Sequence, residues 1–168
     1  GGALTGRDAA RLARIRPRRK PIRRGIEDKM PVSGEWGGLR YLCQGLVDGG
    51  GNRYQLVGAV PGWCSMERSR LHLGYVEVQS VSASPLGPGG VIARGHEFHY
   101  SVWDGFDPSA GAYQVRNQDG RIEGFARGNL LASFVHLHFA ANPALAPAFV
   151  SSAGGSLSAT GRQDRTRP

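Results

Sequence analysis

The sequence is poor in cysteine and has no long apolar stretch. Two cysteines, Cys43 and Cys64, stand among 168 residues, which is too few for the disulfide framework of a small secreted domain. No apolar run reaches the roughly 20 residues that a membrane-spanning helix needs, and no signal peptide is recognisable. These absences argue against a disulfide-stapled scaffold and lead us to expect a cytoplasmic protein without membrane contact.

Acidic residues are scarce in one segment near the N-terminus. Residues 7–24 contain nine lysines and arginines against one acid, Asp8, whereas the rest of the chain carries twelve residues of each sign. The net charge of +8 is therefore a property of one local block. An arginine-rich arm can bind nucleic-acid phosphates, but this block has no aromatic side chain on which bases could stack. We interpret it as a solvated helix face and keep nucleic-acid binding as the alternative.

The length suits one domain with a substantial core. We divide the chain into a basic, partly helical segment over 1–29, a folded domain over 30–150 and a polar tail over 151–168, which we expect to be disordered. Pro17 and Pro21 interrupt the basic segment, and each is expected to break or start a helix.

Apolar runs separated by turn residues predict several strands. The clearest local signal is Asn-Gln-Asp-Gly over 117–120, which predicts a hairpin between two such runs. A short helix is predicted over 144–150. Strands are predicted over 54–60, 73–78, 91–102, 112–116, 121–126 and 129–136.

The stretch over 30–46 predicts a strand, a sharp turn and a helix. A buried strand over 31–33 leads into the turn Gly-Glu-Trp-Gly-Gly over 34–38, and the helix follows from Leu39. Glycines on both sides of one central residue match the nucleophile elbow, because the turn is tight and the helix packs close to the sheet. The central residue of such an elbow should be Cys, Ser or Asp. Here it is Trp36, whose indole cannot act as a nucleophile.

Several motifs together resemble one family. They are, in chain order, Gly-Gly-Leu-Arg-Tyr-Leu (37–42), Val-Gly-Ala-Val-Pro-Gly (57–62), Met66 with Arg68, Leu-Gly-Tyr-Val-Glu (73–77), Arg-Gly-His-Glu-Phe-His-Tyr-Ser (94–101) and Gly-Asn-Leu-Leu-Ala-Ser-Phe-Val-His-Leu-His-Phe (128–139). In this order they resemble the C-terminal glutamine amidotransferase domain of cobyrinate a,c-diamide synthase, a corrin-amidating enzyme of cobalamin biosynthesis. The resemblance covers roughly residues 30–150.

The resemblance implies an α/β fold of the class I glutamine amidotransferase type, with an open, mostly parallel sheet flanked by helices and an apparent truncation at the N-terminus. It also implies a glutaminase in which an elbow Cys attacks the side-chain amide of glutamine and a His acts as its base. The family's Cys falls on Trp36 and its His on His136. His138 then occupies the place where related amidotransferases carry the acid that orients the base.

The other implied site residues surround the elbow. The backbone N–H of Gly37 is expected in the oxyanion hole, and Gly2 and Glu35 are expected to complete the oxyanion-binding or substrate-binding site. We predict that His136 lies beside the Trp36 turn. His138 should lie on the same side, provided that the strand continues beyond it.

The implied function is the glutaminase portion of the synthase. Its partners would be glutamine and an ATP-binding amidoligase domain, which uses the released ammonia to amidate acetate side chains of a corrinoid substrate. ATP and Mg²⁺ are expected only in that second domain, because the sequence contains no G-x-x-x-x-G-K-[ST] phosphate loop. The alternative is a catalytically inactive fragment or descendant that keeps the fold as a binding module.

Two alternatives concern the chemistry of the site. Cys43 follows Trp36 by seven residues, roughly 10 Å along a helix axis, so neither it nor Cys64 is expected to replace the nucleophile. A metal site is the second alternative, although histidines at i and i+3 on a strand point to opposite faces, and we expect no metal. The residues that suggested a metal site are His96, Glu97, His99, His136 and His138.

Overall fold

Four helices and twelve short strands make up the described part of the chain. The computed structural model describes residues 9–14, 16–66 and 71–160. The helices are α1 (Ala9–Arg14), α2 (Arg16–Glu27), α3 (Gly37–Leu42) and α4 (Leu145–Thr160), with 3₁₀ turns at Pro108–Ala110 and Phe139–Ala141. No helix among these residues is long and apolar enough to cross a membrane.

Most strands follow the predicted apolar runs, although they are shorter and more numerous. Cys43–Val47, which was predicted to continue the elbow helix, is a strand instead, because it pairs with a strand on each side. They are β1 (Val32–Glu35), β2 (Cys43–Val47), β3 (Arg53–Gln55), β4 (Val60–Ser65), β5 (His72–Ser80), β6 (Ile92–His99), β7 (Val102–Trp103), β8 (Tyr113–Val115), β9 (Ile122–Glu123), β10 (Phe125–Arg127), β11 (Leu130–Ser133) and β12 (Val135–Leu137). The predicted hairpin is present, since β8 and β9 pair antiparallel.

The strands form three sheets, with orders β1-β11-β10, β12-β6-β5-β8-β9 and β3-β2-β4-β7. The pairs β1–β11 and β2–β4 are parallel, whereas the other seven pairs are antiparallel. The fold is α/β as expected, but the described sheets are mixed rather than mostly parallel. One reason is local: strands joined by a very short loop, such as β10 and β11 with two residues between them, can pair only in antiparallel fashion.

Strand β11 lies between two hydrophobic cores and is buried along its whole length. Leu130 and Ala132 belong to a core that surrounds α3, β2 and β4. Leu131 belongs to a second core, under the five-stranded sheet, together with Val135. Alternate side chains of a strand point to opposite faces, so β11 is fixed from both sides. This strand leads directly to His136.

The N-terminal helices pack on the first core. Ala9 of α1 is buried there, and Ile22 and Ile26 of α2 pack against it. Pro17 is the second residue of α2, as a helix start allows. Pro21 lies inside α2 and does not end it, contrary to expectation. Because proline has no backbone N–H, α2 lacks the hydrogen bond that residue 21 would otherwise donate to the carbonyl four residues earlier.

Helix α4 continues beyond its predicted end. The prediction placed a short helix over 144–150 and disorder from 151, whereas α4 runs from Leu145 to Thr160. Its sequence is rich in alanine and interrupted by glycine, so intrinsic propensity alone gave no clear end. Residues 161–168 lie outside the described part of the chain.

Candidate functional site

The predicted elbow is present between β1 and α3. The helix begins at Gly37, two residues earlier than predicted, and Trp36 forms the turn with φ 52° and ψ −107°. A bulky side chain rarely adopts a positive φ, and such strain concentrates at functional sites. A Cβ atom at Gly34 would stand 2.5 Å from Cδ1 of Leu42, so glycine is required there for α3 to pack closely on β1.

The end of β11 anchors the elbow. The backbone N–H of Trp36 donates to the carbonyl of Ser133 at 2.9 Å, and Glu35 stands opposite Ser133 in the parallel register of β1 and β11. Backbone hydrogen bonds therefore join the turn to the strand that leads to His136. Their relative position is set by sheet register rather than by loops.

His136 lies beside the elbow, which confirms its predicted placement. Its ring centroid is 5.1 Å from that of Trp36, and it pairs with His96 across β12 and β6. The His136 side chain is 50% exposed, so solvent or a substrate can reach it. Its chemical role is a separate question.

Glu35 contacts the His136 ring through a carboxylate oxygen. Its Oε2 is in hydrogen-bonding contact with Nδ1 of His136, and its Oε1 accepts a hydrogen bond from the backbone N–H of Leu137 at 3.2 Å. The resemblance implied a role for Glu35 in oxyanion or substrate binding. In the structure its carboxylate faces the His136 ring.

His138 stands where β12 has already ended. Its backbone opens the 3₁₀ turn Phe139–Ala141 with φ −91° and ψ 96°, and its side chain is exposed. Within the described residues its ring has no hydrogen-bond partner. The expectation that it lies on the same side as His136 required a strand continuing through Phe139, and β12 stops at Leu137.

The other predicted site residues are glycines. Gly37 is buried at the first position of α3, where its N–H has no acceptor within the helix; its oxyanion role stays a prediction. Gly2 lies outside the described residues.

Aromatic side chains enclose the Trp36 indole. The ring centroids of His96 and Phe98 lie 5.1 and 6.5 Å from it. The indole Nε1 is buried and has no hydrogen-bond partner among the described residues, and such an unsatisfied donor costs about 1–3 kcal/mol. The unsatisfied indole N–H indicates that the surroundings are not shaped for tryptophan.

His96 and His136 of the suggested metal site lie close together, with ring centroids 5.3 Å apart, but His99 lies elsewhere. His99 is buried, its Nδ1 donates to the Ser101 carbonyl at 3.0 Å, and it stacks on Phe134. Burial lowers the pKa of His99 to about 4. His96, three residues earlier, points toward Trp36 instead, as the strand period predicted. Among the described residues no group of three or more His, Cys, Asp or Glu side chains is arranged to hold a metal.

The two cysteines lie together in the first core. Both are buried, and their sulfur atoms are 3.6 Å apart. The hydrogen bond to Cys64, together with burial, raises the pKa of the Cys43 thiol far above its usual range. A thiol that stays protonated is a poor nucleophile, which argues against a substitute for the missing elbow cysteine.

Glu123 is a buried carboxyl that the sequence analysis missed. It accepts hydrogen bonds from the Ser133 hydroxyl at 2.6 Å and from the Phe134 N–H at 2.8 Å. Burial raises the pKa of Glu123 to about 7. These hydrogen bonds fix the backbone at Phe134, between the end of β11 and the start of β12, two residues before His136. The signal for it in the sequence was an acidic residue between the apolar residues Ile122 and Phe125, within the predicted strand over 121–126.

The basic segment is attached to the edge strand β3. The Arg19 guanidinium donates to the carbonyls of Gln55, Leu56 and Ala13, so this arginine has a structural role. An open groove between α2 and β3 is lined by the cations Arg19, Lys20, Arg23 and Arg53.

We expect this segment to bind nucleic acid weakly and without regard to sequence. Binding should disappear between about 50 and 200 mM salt, because counterion release drives it. Fluorescence anisotropy with several short oligonucleotides measures this, and Lys20→Glu should weaken binding more than Arg116→Glu on another exposed surface. Selective binding of one oligonucleotide at physiological salt would contradict the prediction.

Comparison with known proteins gives the same family as the motifs. Residues 1–144 match the CobB/CobQ-like glutamine amidotransferase domain. The chain is 43% identical over 126 residues to cobyrinate a,c-diamide synthase of Syntrophotalea carbinolica, covering 71% of this chain and 28% of that protein. It is 35% identical over 148 residues to the Salmonella typhimurium synthase, covering 85% and 32%. The chain thus spans about a third of the length of these relatives.

Solved structures show the same fold. A glutamine amidotransferase structure superposes with a TM-score of 0.57 at 18% identity, covering 86% of this chain and 72% of that one. A second glutamine amidotransferase, from Thermotoga maritima, superposes with a TM-score of 0.53 at 12% identity, covering 97% and 64%. The predicted glutamine amidotransferase-like α/β fold is confirmed, and the chain belongs to the CobB/CobQ-like glutamine amidotransferase family.

Proposed function

We propose that this chain is the glutaminase-type portion of a cobyrinate a,c-diamide synthase in which Trp36 has replaced the nucleophile. The observation that carries the proposal is the position of Trp36 at a strained elbow, with its ring 5.1 Å from that of His136. The base and its surroundings are present, and the attacking atom is missing.

In the intact reaction a thiol at position 36 attacks the side-chain amide carbon of glutamine. His136 takes the thiol proton and returns a proton to the leaving nitrogen, so that ammonia departs. The Gly37 N–H stabilises the oxyanion that forms in between. Water then hydrolyses the thioester and releases glutamate.

The proposal includes partners that this chain does not contain. Ammonia would pass to an ATP-binding amidoligase domain, which would amidate acetate groups of the corrinoid. ATP and Mg²⁺ would be bound by that domain. The name of the relatives, cobyrinate a,c-diamide synthase, supports the corrinoid substrate, and their length, about three times that of the matched region, leaves room for a second domain.

An inactive binding module is the second candidate, and Trp36 favours it for the chain as it stands. The indole fills space beside His136 that a glutamine amide would need, and it has no ionisable nucleophilic atom. The fold, by contrast, is retained. Such a module would still dock on its partner domain without releasing ammonia.

We expect the purified chain to release no ammonia from glutamine. A coupled glutamate dehydrogenase assay measures this, and His136→Ala provides the matched background. Ammonia release above the buffer level that His136→Ala abolishes would show that another group attacks the amide and would contradict the proposal.

A further inference from the structure

We propose that Glu35, and not His138, is the positioning residue for His136. In this role its carboxylate holds Nδ1 of the imidazole and leaves Nε2 free to act as the base. The residue before the nucleophile position thus orients the base that would activate that nucleophile. The catalytic meaning of this role rests on the proposed function, although the contact itself does not.

The carboxylate is held at both oxygens. Oε2 contacts Nδ1 of His136, and Oε1 accepts from the Leu137 N–H at 3.2 Å. Since these two groups belong to consecutive residues of β12, the carboxylate fixes both the strand and the ring. The Glu35 side chain is only 23% exposed, so water competes weakly for its oxygens.

The backbone fixes this contact through sheet register. Glu35 pairs with Ser133 in the parallel ladder of β1 and β11, and the next residue, Trp36, donates its N–H to the Ser133 carbonyl. A slip of one residue would turn the Glu35 side chain to the other face of the sheet. The elbow therefore presents the nucleophile position and the positioning carboxylate from consecutive residues.

The contact determines which imidazole nitrogen carries the proton. A carboxylate accepts hydrogen bonds, so Nδ1 of His136 must be the protonated nitrogen of the neutral ring. Nε2 then keeps its lone pair, as a general base requires. His138 stands beyond the end of β12, and its ring makes no hydrogen bond to His136 or to any other of the described residues.

Nitrogen-15 NMR of the histidine-labelled wild-type chain tests the inference without any activity. The His136 ring signals, assigned by their loss in His136→Asn, are expected to show mainly the Nδ1–H tautomer in the neutral form of the ring. Glu35→Gln should shift this ring toward the Nε2–H tautomer. Glu77→Gln, which removes a surface carboxylate paired with Arg94, should leave it unchanged.

The competing assignment is tested in the same spectra. An unchanged His136 tautomer in Glu35→Gln, or a shift in His138→Asn of equal size, would overturn the inference. If Glu35→Gln fails to fold, Glu35→Asp keeps the charge on a side chain one methylene shorter. An intermediate tautomer population then supports the inference, and an unchanged one overturns it.

Kinetics in a Trp36→Cys background add a second measurement. Glu35→Gln should lower kcat on the order of 10²-fold with a smaller change in KM, because orientation of the base matters most in the transition state. Glu77→Gln should change neither. Absence of any activity in Trp36→Cys would count against the proposed function, whereas the NMR result would still decide the role of Glu35.

Discussion

Replacing Trp36 with cysteine is expected to give the chain a glutaminase activity that the wild type lacks. The substitution introduces a thiol at the strained elbow, beside His136 and next to the first N–H of α3. It also removes an indole whose N–H is buried without a partner among the described residues. Ammonia and glutamate should form in equal amounts, starting from no detectable turnover.

Two control variants distinguish the effect of opening space at position 36 from the effect of adding a nucleophile there. Trp36→Ala opens the same space without a nucleophile and should remain inactive. Adding His136→Ala to Trp36→Cys should lower the rate on the order of 10²- to 10⁴-fold, the usual contribution of a general base. A folded Trp36→Cys protein that releases no ammonia would contradict the idea that only the nucleophile is missing.

Glu123→Ala is expected to destabilise the fold by about 3 kcal/mol at about pH 5. The substitution leaves the Phe134 N–H without its acceptor, removes the partner of the Ser133 hydroxyl and opens a cavity in a fully buried place. Urea unfolding of wild type and variant measures the loss. Glu77→Ala on the exposed sheet face should cost less than about 1 kcal/mol.

The cost of Glu123→Ala should fall as pH rises from about 4.5 to about 7. The pKa of Glu123 is raised to about 7 in the folded state, so the folded protein retains a proton that the unfolded chain has lost, and this group's stabilisation is lost with rising pH. His99, whose pKa is lowered to about 4, changes wild-type stability in the opposite direction. Since His99 is present in both proteins, the difference isolates Glu123. A cost that grows with pH would contradict the prediction.

Local patterns predicted the elbow and the family. Glycines around position 36 constrain only a few consecutive residues, so the strand, turn and helix could be predicted from them. The apolar run before His136 likewise predicted a rigid strand that ends beside the elbow. These features depend on short stretches of chain, in which sequence pattern and local structure coincide.

Long-range contacts could not be predicted in the same way. The Glu35–His136 contact joins residues 101 positions apart and depends on the register of β1 against β11. The break between β11 and β12 depends on the buried carboxyl of Glu123, and the strand alternation ends at Leu137, before His138. Register and irregularities of this kind are set by tertiary packing, which single-strand patterns do not contain.

Covalent labelling of the Trp36→Cys variant tests whether position 36 is where glutamine is attacked. A chloroketone analogue of glutamine alkylates a thiol fastest where the glutamine side chain can bind beside it, and peptide mass spectrometry locates the adduct. We expect one adduct per chain, at position 36, that forms more slowly when His136→Ala is added. Equal labelling of Cys43 or Cys64, or no labelling at position 36 in a folded protein, would contradict this expectation.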